Sequence, residues 1–329
     1  MPLIAVAFVM VFFVIGLVDE MQNLMYTDLL GDHVQSKSRI SMRYLQFGAG
    51  GLAAIGLALL IHEITKDNPP FSRHSAVIAV SFTFFVLSGI CIMAVAEIGK
   101  TTGASTDGKP AVKLSFKANV KAIVEMFDHA WFRRYMTMRM PLVVVSLSVP
   151  FFALIAAEAH HASAKGLTAM IISSASGYLV AAPLWQVVNM KSHRAVMVTG
   201  TLMVAVTGVV LLTFHYLKLD HDVHLHAIAL FIVTVASTGI SSARKLYFLD
   251  VAPKDQRVQA SAAVKSIARI AAVVLSAGLA AIAHMHEVAL AVAFIVGCSL
   301  ISALTCYRIA LPKAQAKVNE TSGKASEEG

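Results

Sequence analysis

The chain has 329 residues, 57% of them hydrophobic and only 14% charged, with a mean hydropathy of +0.71. That balance excludes an ordinary soluble domain of this length and points to a polytopic membrane protein. The net charge of +8 does not imply a nucleic-acid partner, because Lys and Arg sort by side of the membrane instead of gathering in one patch.

A helix needs ~20 apolar residues to cross a ~30 Å hydrocarbon core. Nine segments qualify: residues 2–30, 40–62, 75–98, 136–158, 166–189, 195–217, 225–250, 258–284 and 287–311. They are rich in Ala, Leu, Val and Met and interrupted by Gly and Pro, whereas a transmembrane barrel shows ~10-residue alternating strands. The expected fold class is therefore an all-α membrane protein, a polytopic bundle of about nine transmembrane helices. The first segment has no basic residue ahead of its apolar run and no small-residue cleavage site, so no secretory signal peptide is expected.

That first segment carries two adjacent carboxylates, Asp19 and Glu20, far along its length. A charge at mid-membrane costs ~2.5–3.5 kcal/mol even on the lenient insertion scale, so it is expected to face protein or a water-filled cavity. Asp19, Gln22, Asn23 and Tyr26 recur at spacings of three and four and share one helical face. Asp28 stands at the end of the same helix, and Arg39 follows a short loop later.

After 40–62 and 75–98 comes the one long polar break, residues 99–135. Its first part has the Gly, Ser, Thr and Pro content of a flexible linker. From about Phe116, the spacing of Val120, Ile123, Val124, Phe127 and Trp131 predicts an amphipathic helix. Two placements fit it: resting its basic face on anionic headgroups, or packing as a connector under the bundle.

Further along, Ser146, Ser148 and Pro150, then Ser173, Ser174, Ser176 and Tyr178, either line a polar pathway or simply let helices approach closely. Ser237, Ser241, Arg244 and Lys245 form a polar stripe comparable to the one around Asp19. At ~1.5 Å per residue, Asp19 and Arg244 both fall ~27 Å from the outer ends of their helices. Asp19 or Glu20 is accordingly expected to face Arg244 or Lys245 across a polar cavity, as part of a substrate and proton pathway or as a fixed ion pair locking two halves together.

Ten of the thirteen histidines fall at or beyond outer helix ends, as in HHAS, HYLKLDHDVHLH and HMHE. His221, His224 and His226 are the candidate ligands for a borderline divalent metal, against the plainer reading of loop histidines at a wet interface. Cys91, Cys298 and Cys306 lie in predicted spans without metal-site or CxxC spacing and are read as small core residues.

Counted across nine spans, one side collects 23 of the 27 Lys and Arg, leaving Lys66, Arg73, Lys165 and Lys218 on the other. The positive-inside rule then puts the C-terminus in the cytoplasm and Met1 outside. The organisation expected is a partial N-terminal half of three transmembrane helices (1–98), a cytoplasmic linker with an amphipathic helix (99–135), a six-helix C-terminal half (136–312) and a disordered cytoplasmic tail (313–329).

The stretch LMYTDLLGDHVQSKSRISM, 24–42, matches LYFLDVAPKDQRVQA, 246–260, at a separation of about 220 residues. Each ends an apolar helix with a tyrosine and an aspartate (Asp28, Asp250), passes through a basic loop to an arginine (Arg39, Arg257) and enters a small-residue helix. Two halves related by a symmetry axis are a common transporter construction. With these motifs the sequence resembles the major facilitator superfamily. The two repeats resemble its fourth-to-fifth and tenth-to-eleventh helix junctions, WFRRYMTMRMPLVVVSLSVPFFALI its seventh helix, and APLWQVVNMKSHRAVM its eighth-to-ninth loop. The resemblance implies that the helices carrying Asp19 and Arg244 line a central pathway, and that the loop residues Asn189, Lys191 and Arg194 take part in gating. It also implies that equivalents of the family's first three helices are lacking, since three spans precede the central loop where the family has six. Asn189, Ser192 and His193 stand where the family usually has Asp and Gly. Asp28 with Arg39 and Asp250 with Arg257 are expected to pair as loop anchors.

No GxxxxGK[ST] phosphate loop, HExxH or Ser, His and Asp set occurs, so neither an enzyme nor a bound cofactor is expected. The leading expectation is a secondary active transporter of a small solute working by alternating access in a bacterial inner membrane, with proton coupling through Asp19 or Glu20. The alternatives are a transport-inactive scaffold or assembly factor, or a truncated transporter copy, and third a transition-metal transporter. The partners expected are the lipid bilayer, a small-molecule or ion substrate, and a protein partner or second copy covering the incomplete first half.

Overall fold

A computed structural model of the chain describes residues 36–65, 79–80, 82–84, 86–90, 121, 123–160, 164–219, 222–253, 256–285 and 287–309. In chain order these form α1 (Ser36–Thr65), a single 3₁₀ turn (Met126–Asp128), α2 (Ala130–Ser146), α3 (Ser148–His160), α4 (Ala164–Lys191), α5 (His193–Tyr216), α6 (Val223–Val251), α7 (Arg257–Met285) and α8 (Val288–Tyr307). Among the described residues, seven stretches are long and apolar enough to cross a membrane, with α2 and α3 counting together as Ala130–Glu158. Of the nine expected spans, 2–30 lies outside the described residues. The span at 75–98 is described only within 79–90, where its residues are helical.

The chain divides into two units, residues 1–39 with 63–115, and residues 40–62 with 116–329. In the second unit α6 is central, packed against α3, α4 and α5, while α8 lies along α5 and against α2. Sequence explains how close these approaches are. A Cβ on Gly239 of α6 would meet the Trp185 ring of α4 at 2.7 Å, and that indole donates its Nε1–H to the Val235 carbonyl at 2.7 Å. A Cβ on Gly51 of α1 would come within 2.7 Å of the Ala175 carbonyl oxygen on α4. Only a residue without a side chain lets the two backbones meet there.

Helix boundaries follow from caps and prolines. Pro150 has no N–H for the Ser146 carbonyl, and the helix parts at Leu147, which closes α2. The Ser146 hydroxyl meanwhile bonds the Val143 carbonyl at 2.6 Å. A single residue, Ser192, links α4 to α5, and its hydroxyl accepts the Ala195 N–H at 3.2 Å as an N-cap.

The amphipathic helix expected from Phe116 through Trp131 is not continuous. His129, with extended backbone (φ −78°, ψ 120°), separates the 3₁₀ turn from α2. Arg133 donates back to the Phe127 and Asp128 carbonyls at 2.8 and 3.2 Å, satisfying groups that a continuing helix would have used. Residues on either side of the turn therefore no longer share one face: Val124 is 61% exposed, while Met126 and Phe132 are buried. Val120 lies outside the described residues. Because of the same turn, the helix expected from residue 136 starts earlier, at Ala130.

Candidate functional site

The cationic stripe of α6 opens into a cavity of about 360 Å³. Arg43 and Phe47 of α1, Arg139 and Ser146 of α2, Tyr178 of α4, and Ser237, Ser241 and Arg244 of α6 form its wall. Residues 237, 241 and 244 recur at steps of four and three, so one helical face delivers all three side chains. Arg43 lies with its guanidinium carbon 4.8 Å from the Phe47 ring centroid and bonds Gln46 Oε1 at 3.4 Å. Phe47 in turn stacks on Tyr178, with centroids 6.0 Å apart and planes within 4°.

No acidic residue stands among the described residues that line this cavity. Each of the three guanidiniums offers up to five N–H donors in a fixed fork and no acceptor, and the serines add hydroxyls. Such a wall is suited to a small anion, whose oxygens match paired guanidinium donors.

Of the stripe singled out from the sequence, Ser241 and Arg244 line the cavity, whereas Lys245, the next residue, is half-buried and does not. Ser146 and Tyr178 join the wall. Ser148 and Ser173 serve packing instead: the first is fully buried with its Oγ 3.4 Å from that of Ser237, and the second bonds the Ala227 carbonyl. Arg43 and Arg139 were not singled out from the sequence. The signal was present, since each is a charge inside an apolar span, the criterion that marked Arg244. Asp19, Glu20, Gln22, Asn23, Tyr26 and Asp28 lie outside the described residues, and with them the expected pairing of carboxylate with Arg244 or Lys245.

Beside the cavity, the α4–α5 junction carries a chain of hydrogen bonds. Asn189 Nδ2 donates to the Tyr44 hydroxyl of α1 at 3.2 Å. Asn189 Oδ1 faces His193 Nδ1 at 2.6 Å, and His193 Nε2 faces Asp250 Oδ2 of α6 at 2.9 Å. Both ring nitrogens thus lie within hydrogen-bond distance of side-chain oxygens, one on α4 and one on α6. One turn back along α4, Gln186 Nε2 donates to the Ser41 hydroxyl at 2.9 Å. The end of α4 is thus tied to α1 twice and to α6 through His193. Arg194 reaches α8, bonding the Tyr307 carbonyl at 3.4 Å with its guanidinium 5.4 Å from that ring. Lys191 is exposed.

The expected Asp250–Arg257 pair does not form. Arg257 donates instead to the Leu249 carbonyl at 3.1 Å, at the C-terminal end of α6, where helix carbonyls lack intrahelical donors and a cation is favoured. Asp250 turns to the first residue of α5, where the helix N-terminus favours a carboxylate. Arg39 falls in α1, and Asp28, the partner expected for it, is outside the described residues.

The proposed histidine ligands do not converge where they are described. His224 is exposed, its backbone N–H accepted by Asp222 Oδ1 at 2.9 Å. His226 is 1% exposed within α6. Among the described residues no group of three His, Cys, Asp or Glu is placed to hold a metal ion, and His221 lies outside them. Cys306 is buried and Cys298 partly so.

An uncharacterized protein of Mycobacterium tuberculosis strain H37Rv is 23% identical to the chain over 294 residues. Uncharacterized proteins of Mycobacterium tuberculosis strain CDC 1551 and of Mycobacterium bovis match to the same extent. In each case the alignment covers 89% of this chain and 56% of the relative, so the chain spans little more than half the length of these relatives. A model of the Major Facilitator Superfamily, a family of transporters and not of enzymes, matches residues 142–327, which include all of α3 to α8. With an all-helical described structure and seven membrane-capable helices, the chain belongs to the major facilitator superfamily.

Proposed function

We propose that the chain belongs to a secondary transporter that carries a small anionic solute across a bacterial cytoplasmic membrane by alternating access, with its C-terminus in the cytoplasm. The observation that carries this reading is the cavity walled by Arg43, Arg139 and Arg244 from three helices. Guanidinium groups in a membrane protein are costly unless they face a polar cavity, and an anion held there gains charge-assisted bonds from several of them. Asp19 or Glu20 supplies proton coupling, since a carboxylate near such cations alternates between pairing with them and taking up a proton as its exposure changes.

The test is uptake of small organic anions, cations and neutral solutes by vesicles containing the full chain. An anion is expected to be taken up, and Arg139→Gln with Arg244→Gln is expected to abolish uptake while leaving the amount of inserted protein unchanged. Uptake confined to neutral solutes or cations would overturn the substrate class. Asp19→Asn with Glu20→Gln is expected to abolish the pH dependence, and uptake that keeps its pH profile removes the coupling role. A second reading, a scaffold that pairs with a partner or a second copy, draws on α1 and α7. Only 11% of each of these spans is buried, against about half of α5, α6 and α8. Stable co-purification without uptake of any solute would favour that reading.

A further inference from the structure

A second cavity, of about 370 Å³, shares no lining residue with the arginine cavity and lies at the N-terminal end of α2 and the C-terminal ends of α6 and α8. Trp131, Arg134 and Thr137 of α2, Tyr247 of α6, and Thr305 and Arg308 at the end of α8 contribute to its wall. All of these sit at helix ends on one face of the bundle, the level at which tryptophan and arginine meet headgroups.

Two features mark the cavity as a binding site rather than a packing fault. Trp131 Nε1 is buried with no hydrogen-bond partner among the described residues, a donor that a well-packed interior would have satisfied. The described lining contains two guanidiniums and no carboxylate. The partial negative charge at the end of α8 opposes an anion, but the positive end of α2 offsets it, leaving both arginine charges in effect. Tyr135 and Tyr247, stacked with centroids 6.4 Å apart, give the cavity an apolar wall. An anionic oxygen is the acceptor that an indole N–H and two guanidiniums call for, while the tyrosine rings suit the glycerol and first methylenes of a lipid. Basic pockets between transmembrane helices at the membrane surface favour anionic headgroups.

We propose that this cavity binds a phosphate group carried by an anionic phospholipid, held by Trp131, Arg134 and Arg308. The site is separate from the transport cavity and independent of what the transporter carries. Native mass spectrometry of the detergent-purified full chain tests it, with dioleoyl-phosphatidylglycerol, dioleoylglycerol and inorganic phosphate as probes.

One phosphatidylglycerol per chain is expected to bind saturably, with no binding of dioleoylglycerol, which lacks the phosphate. Arg134→Gln with Arg308→Gln is expected to weaken binding about thirtyfold, given what each basic residue near anionic headgroups contributes. Trp131→Phe, which keeps every charge and an aromatic ring but removes the N–H, is expected to weaken it about fivefold. Both arginines are exposed, so their replacement leaves the fold in place. Retention of dioleoylglycerol equal to that of phosphatidylglycerol overturns the proposal. So does full affinity in the Trp131→Phe protein when the double variant has lost it, because diffuse surface charge then explains the binding. Saturable binding of inorganic phosphate without the lipid overturns the lipid source and assigns the pocket a soluble phosphate.

Discussion

Tyr44 is fully buried and Asn189 2% exposed, so the 3.2 Å bond between them sets the cost of disturbing the α1–α4 contact. Tyr44→Phe leaves Asn189 Nδ2 without its acceptor, and a buried donor left unsatisfied costs about 1–3 kcal/mol. A lower melting temperature of the purified protein is expected, while Tyr178→Phe, at a residue 38% exposed, leaves it nearly unchanged. Equal shifts for the two variants would show that the bond to Asn189 contributes no more than an exposed hydroxyl does. The same residues show what a sequence conceals. A charge inside an apolar span is visible without a structure, and that is why Arg244 was legible; Arg43 and Arg139 met the same criterion. The partner of Asp250 was not legible, because the repeated motif suggests Arg257, seven residues on, and folding supplies His193, 57 residues away. Which group a helix end recruits depends on the neighbouring helix, and no local pattern records that.

Among the helices, the close crossing of α1 on α4 depends on Gly51. Its missing Cβ would sit 2.7 Å from Ala175 O and 2.9 Å from Leu179 N, both backbone atoms that cannot rotate away. Gly51→Ala forces the helices apart, and overpacking of this kind costs about 1–3 kcal/mol. Gly297 of α8 has open space where its Cβ would go, so Gly297→Ala gains helix propensity instead, about 0.5–1 kcal/mol. Melting curves of the two single variants are expected to move in opposite directions, and a neutral or raised value for Gly51→Ala would mean that α1 does not pack there. The existence of each described span was legible because twenty apolar residues have few other fates. The crossings were not, since a run such as GAGGLAAIG permits close approach on any face without selecting the partner. Breaks were harder still: Pro150 announces the parting at Leu147, but the turn at His129 depends on Arg133 reaching carbonyls behind it.

For the whole molecule, the distribution of charge makes a claim that the fold alone does not, namely which side each helix end faces. The helix α5 has 24 residues, about 36 Å at 1.5 Å per residue, enough to separate its ends by a hydrocarbon core. Lys191 and Arg194 flank its start and Lys218 follows its end, and from the uneven sum over all loops, 23 against 4, the start is expected to face the cytoplasm. In a background with Cys91, Cys298 and Cys306 replaced by Ser, Lys191→Cys and Leu219→Cys place one thiol at each end. Both parent residues are exposed, so reagent access reports the side of the membrane and not burial. A membrane-impermeant maleimide applied to intact cells is expected to label Leu219→Cys and spare Lys191→Cys, with both labelled after lysis. The opposite pattern would invert the bundle. The Trp131 and Arg308 pocket, at the same end of the helices as Lys191, would then face the outer leaflet, and the direction proposed for loading and release of an anion at the arginine cavity would reverse with it.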